Sequence, residues 1–140
     1  MKINEIQDEI IEEFALFDNK NDTYNYIIEL GKKLVFMPEN YKIEQNLIKG
    51  CQSRVWLFPE LHEDKIQFFA DSDSTIVKGI ISLLVRVLDQ QYPADILTAD
   101  LYFIDKIGLQ SMLSMNRSNG LLAMIKQIKM YALAFESVQK

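Results

Sequence analysis

Arg54-Val55-Trp56-Leu57-Phe58 and, after a polar interval, Lys65-Ile66-Gln67-Phe68-Phe69-Ala70 form the stretch on which the fold turns. The first run is rich in β-branched and aromatic residues, the composition of a strand. In the second, Ile66, Phe68 and Ala70 alternate with Lys65, Gln67 and Phe69, so one face is built to meet a core. Pro59 and the polar residues through Asp64 lie between them, which predicts an antiparallel pair whose first strand ends at Phe58. Just upstream, Leu47-Ile48-Lys49 reads as a short extended piece and Gly50-Cys51 as a turn leading into the pair.

Helical patterns lie on both sides of this hairpin. Ile3, Ile6, Ile10, Phe14 and Phe17 recur at steps of three and four, with Asp8, Glu9, Glu12 and Glu13 on the opposite, wet face. Asp18 to Asp22 breaks that helix and caps a second, in which Tyr24, Ile27, Ile28, Gly31 and Leu34 share a face until Pro38. After the hairpin, Ser72 and Asp73 read as caps for a helix carrying Ile76, Val77, Ile80, Ile81, Leu84, Val87 and Leu88. So broad an apolar surface predicts a central, buried element. Pro93 suits the first turn of a short helix over Ala94 to Leu97, and Gly108 the end of another over Leu101 to Ile107. The tail places Leu121, Met124, Ile125, Ile128, Tyr131, Ala132 and Phe135 on one long stripe, opened by the polar stretch Ser114 to Gly120. Helices, a small antiparallel sheet, then helices again make an α+β fold, read as a single domain over residues 1–140.

A chain of 140 residues with 49% hydrophobic content can fill one core, and its net charge of −5 argues against a nucleic-acid surface. The first nine residues carry acids where a secretion signal needs apolar ones, and no segment approaches the roughly 20 apolar residues that span a bilayer. A cytoplasmic setting, no membrane and no nucleic acid are the expectations.

Chemistry concentrates on Cys51, the only cysteine. A single thiol forms no internal disulfide and cannot supply the several thiolates of a structural zinc or iron–sulfur site. It works alone or with a partner's sulfur. As a nucleophile it needs its thiolate, for which Lys49 and Arg54 are the nearby cations in sequence. The competing reading makes Cys51 a small buried hydrophobe at a strand edge. His62, the only histidine, could serve Cys51 as a base in a hydrolase, but the hairpin carries it to the far end of the strand. Glu60, Glu63 and Asp64 beside it make a poor metal cluster without a second histidine or thiolate. Arg117 can pair with a partner's carboxylate or brace a loop. Asp71 and Asp73 are read first as helix caps, and Met112 and Met115 as an adaptable contact surface.

Motifs along most of the chain resemble the SufE family of sulfur-acceptor proteins. Leu30-Gly31-Lys32-Lys33-Leu34 with Met37-Pro38 is similar to its second helix. Asn46 through Leu57, containing Gly50-Cys51-Gln52-Ser53 and Val55-Trp56-Leu57, is similar to its signature. Asp71-Ser72-Asp73 with Ile76-Val77-Lys78-Gly79, then Ile107-Gly108-Leu109, then Leu113-Ser114 and Arg117-Ser118-Asn119-Gly120-Leu121 follow in the family's order. The resemblance implies a fold shared with IscU-like iron–sulfur scaffold proteins. It also implies a role in iron–sulfur cluster assembly as a sulfur carrier and activator of a cysteine desulfurase, without independent enzyme activity. By this resemblance Cys51 accepts persulfide sulfur from a SufS-type desulfurase, which holds the pyridoxal phosphate, and passes it to a SufBCD-type scaffold. The carrier needs no cofactor or metal of its own, and a homodimer is compatible with it. Arg117, Asp73, Gly50 and Gln52 carry over as partner-facing residues.

The chain departs from the family pattern at Ser74, usually alanine, and at Met115-Asn116, usually a proline-containing pair. Two rival functions remain: an allosteric activator of a desulfurase in which Cys51 is incidental, and a Cys51–His62 hydrolase. Because persulfides are easily lost, the Cys51 turn is further expected to fold back over apolar neighbours at rest.

Overall fold

The hairpin is longer than its apolar runs. In the computed structural model, which describes residues 1–139, β1 spans Val55–His62 and β2 Lys65–Ser72, paired antiparallel from Val55 opposite Ser72 to His62 opposite Lys65. Pro59 therefore does not end the first strand. It stands opposite Phe68, whose N–H points away from β1 to the Asp89 carboxylate at 2.6 Å, so this rung needs no donor from residue 59. Glu63 and Asp64 close the hairpin, both with positive φ, as a two-residue turn of matching twist requires. Each outer edge is met near one end: Ile48 N–H donates to the Val55 carbonyl at 2.8 Å, and Ile66 exchanges bonds with Gln90 and Gln91.

The inner face of the hairpin, Val55, Leu57, Ile66, Phe68 and Ala70, packs on α3 (Thr75–Leu88). Helix α3 buries residues on nearly every side, and Arg86 is its one strongly polar exception in the second half. Helix α2 (Lys20–Lys32) crosses it where Gly31 meets Gly79; a Cβ on Gly31 would come within 2.7 Å of the Gly79 nitrogen. The crossing is backbone against backbone, which any larger side chain would force apart. Helix α1 (Ile3–Phe14) lies against α3 with Ile3, Ile10 and Phe14 inward. The short α4 (Pro93–Thr98) and α5 (Phe103–Lys106) lead to the long α6 (Met115–Gln139), whose Leu121, Met124, Ile128 and Ala132 complete the same apolar cluster. Six α-helices, three single-turn 3-10 helices and one two-stranded sheet are thus the regular elements among the described residues, an α+β fold.

Several sequence expectations shift here. Helix α1 stops at Phe14, and Phe17 lies beyond it with its ring 4.8 Å from that of Tyr26. The acidic face of α1 is only partly wet, because Glu9 and Glu13 both pair with Arg86 of α3. The Arg86 guanidinium holds Glu13 below the usual carboxylate range, while burial and the bond to Glu13 push Tyr26 up to about 12. Gln7, polar in an apolar stripe, is fully buried: it donates to the Asp100 carbonyl at 3.0 Å and accepts from Phe103 N–H at 3.1 Å. Helix α2 ends at Lys32 rather than near Pro38 because Met37 must turn into the core, leaving Val35 and Phe36 outside. The segment after it covers the outer sheet face, with the Tyr41 ring 4.3 Å from that of Phe58 and Lys42 paired to Asp71 at 2.7 Å.

Candidate functional site

The Cys51 loop is fixed at its base by the sheet and along its face by α6. At the entrance, Ile48 bonds to Val55. At the exit, Arg54 N–H donates to the Asp73 carboxylate at 3.1 Å and the Ser72 hydroxyl donates to the Arg54 carbonyl at 2.8 Å. Between these anchors Gly50 takes a φ of +92°, which a side chain would strain, and the chain bends down onto the first turns of α6. There Gln52 accepts from the Asn116 amide at 3.3 Å, and the Cys51 thiol faces the Gly120 carbonyl at 3.6 Å. A Cβ on Gly50 would lie 3.4 Å from that of Ala123. Asn116, Gly120 and Ala123 are four and three residues apart, so they form one stripe under the loop.

Cys51 is half-buried and packs against the apolar core. Burial raises its thiol pKa, because the thiolate loses water without gaining a compensating charge. Lys49 and Arg54, the cations nearby in sequence, are both exposed, and neither offsets this. The resting thiol is therefore protonated and shielded, so the expectation that the turn folds back over apolar neighbours agrees with its placement.

His62 sits at the opposite end of β1, exposed and bonded to Glu60 at 3.0 Å. The strand between them, at about 3.3 Å per residue, separates it from the cysteine by roughly 20 Å. No hydrogen bond joins such a pair, so the hydrolase arrangement is absent. Among the described residues no group of three or more His, Cys, Asp and Glu side chains could hold a metal ion. No helix among them is long and apolar enough to cross a membrane.

Other candidate residues settle around the same loop with altered roles. The cap of α3 is Ser74, whose hydroxyl accepts from Val77 N–H at 3.4 Å; neither Ser72 nor Asp73 caps it. Asp73 is exposed and ties down Arg54, while Asp71 pairs with Lys42 and with Lys78 at 3.2 Å. Burial pushes the Asp71 carboxyl up, but its bonds to Lys42, Ser72 N–H and Lys78 together hold it below the ordinary range. Arg117 is in the first turn of α6, not in a loop, and donates to the Tyr24 hydroxyl of α2 at 3.4 Å. It braces one helix against another beside the cysteine loop. Met112 packs against the core, whereas Met115 opens α6 and is 81% exposed. Gly50 and Gln52 are exposed on the loop itself.

Gly120, Asn116 and Ala123 are the residues that sequence reading missed as a bed for the loop. Their spacing is visible in the sequence, but Ser114 to Gly120 reads only as the polar opening of the last helical stripe, and nothing local says that a distant turn lies on it.

Comparison with known proteins accords with this architecture. The family model for SufE, described as an Fe–S metabolism associated domain, matches residues 8–132. An uncharacterised SufE-like protein of Rhizobium meliloti is 39% identical over 127 residues, covering 87% of this chain and 91% of its own. Another from Synechocystis is 34% identical, with 91% and 80% covered. The solution structure of a hypothetical protein from Thermus thermophilus superposes with a TM-score of 0.78 over 94% of this chain and 96% of that one, at 17% identity, a likeness of fold. On the family match and these relatives, the chain belongs to the SufE family, a family associated with Fe–S metabolism.

Proposed function

We propose that Cys51 takes sulfane sulfur from the persulfide of a SufS-type cysteine desulfurase and delivers it to a SufBCD-type iron–sulfur scaffold, stimulating the desulfurase by relieving it of sulfur. The chain acts as a carrier and activator without enzyme activity of its own. The observation that carries this reading is a lone thiol on a glycine-hinged loop, anchored at both ends and held down between them by few contacts. In the transfer, the Cys51 thiolate attacks the outer sulfur of the donor persulfide. The donor's S–S bond breaks, its inner sulfur leaves as the thiolate, and a new S–S bond forms on Cys51. One thiol and one persulfide give one persulfide and one thiol, with no oxidant and no cofactor on this chain; the pyridoxal phosphate belongs to the desulfurase.

The raised thiol pKa fits a resting state that does not react until the loop leaves α6 and the thiol regains water. Gly50 and Gln52 on the loop, with Asp73 and Arg117 beside it, are proposed to meet the donor enzyme. A reducing, cytoplasmic setting keeps such a thiol free. Incubation with desulfurase and cysteine followed by intact-mass analysis is expected to find one added sulfur atom on Cys51. Cys51→Ser should abolish stimulation of sulfide release while leaving the circular dichroism spectrum unchanged. Undiminished stimulation by that variant would establish the purely allosteric activator instead.

A further inference from the structure

Resting on the carrier reading, one glycine takes on a role that the fold does not demand. Gly31 and Gly79 are required where α2 crosses α3, and Gly50 and Gly108 adopt positive φ. Gly120 is different: it lies inside α6, where alanine is the better helix former, and its φ is not in the left-handed region. Its own chain neighbours and helix backbone aside, a Cβ built on it has a single heavy atom within 4 Å, the Cys51 sulfur at 3.6 Å. That is an ordinary van der Waals contact, so the thiol form would accept a methyl group there. Gly120 is nonetheless buried, and the place its Cβ would take meets no other side chain within 4 Å.

We propose that the missing side chain of Gly120 is the berth of the transferred atom: the outer sulfur of a Cys51 persulfide rests against the bare α-carbon of Gly120 while the loop stays docked on α6. A second sulfur must lie about 2 Å from the first, and on the α6 side this space is open because position 120 has no Cβ. Gly120 is thus a positioning residue that lets the loaded carrier remain closed. With alanine at 120 the thiol still fits but the persulfide does not, so loading drives the loop outward.

The test loads the full chain chemically with glutathione persulfide, so that it needs no desulfurase, and compares wild type with Gly120→Ala. Two rates are read on each: cyanide removal of the outer sulfur as thiocyanate from the loaded form, and iodoacetamide alkylation of the unloaded thiol. For Gly120→Ala, cyanolysis is expected to quicken by about tenfold or more, the shift that overpacking by one methyl group produces, while alkylation stays within about twofold. Equal changes in both rates would mean a loosened loop, and no change in either would mean an irrelevant glycine; both overturn the proposal. A further measurement depends on no variant. Loaded wild type must react with cyanide more slowly than the same chain loaded and unfolded in urea, and equal rates overturn it. Failure to accept sulfur from any desulfurase would remove the carrier reading and leave this berth intact.

Discussion

The loop entering β1 and the far end of that strand carry the chain's only cysteine and only histidine, and the molecule treats them oppositely. At the His62 end the hairpin closes in two residues and stands in solvent, the imidazole bonded to a carboxylate two positions away. At the Cys51 end the chain is pinned to α6 through Asn116 and Gly120, and the thiol loses water without gaining a cation. The residue types alone suggest a nucleophile and its base. The surroundings give instead a suppressed nucleophile and a remote, solvated imidazole. The water that Cys51 loses is lost to the docking of its loop, so lifting the loop is expected to make the sulfur more reactive.

The comparison can be broken most forcefully at the cysteine end. Alkylation of Cys51 at pH 8 is expected to be at least about tenfold slower in the native protein than in urea, since reaction waits on local opening. The native rate profile should also inflect above the free-thiol value of about 8.5. The sign follows from burial: a raised thiol pKa means that the folded state keeps its proton longer than the unfolded chain. The associated stability is complete below the unfolded value and is lost as pH rises through the folded one. An inflection below 8.5, read by stopped-flow alkylation against pH, would contradict this account of the site.

A smaller effect sharpens it. Asn116→Ala removes the bond to Gln52, and alkylation should quicken by roughly two- to tenfold, the weight of one hydrogen bond. A rate unchanged from wild type would place the hold on the loop elsewhere. The smallest effect belongs to the other end of the strand. His62→Ala should leave sulfur loading within about twofold and move stability by no more than about 0.5 kcal/mol, as exposed positions do. A large loss of loading would return the histidine to the chemistry.

How far this contrast could be read in advance depends on the element. Alternation in Lys65 to Ala70, the breadth of Ile76 to Leu88 and the break at Asp18 to Asp22 place the hairpin, the central helix and the α2 cap, because each pattern is local and repeats within a few residues. Pro59 misleads because its effect depends on which way its rung faces, and that is set by Phe68 and Asp89 on other segments. Ser74 rather than Ser72 or Asp73 caps α3 because β2 runs on to Ser72 and claims those residues for the sheet end.

Composition and spacing by themselves determined an α+β chain with one thiol on a glycine turn, since periodicity and residue type act over a few neighbours. The tertiary structure alone decided that Gly120, 69 positions along, lies beneath that thiol. Burial and pKa belong to contacts between remote segments, and these form only when the core brings the loop and α6 together.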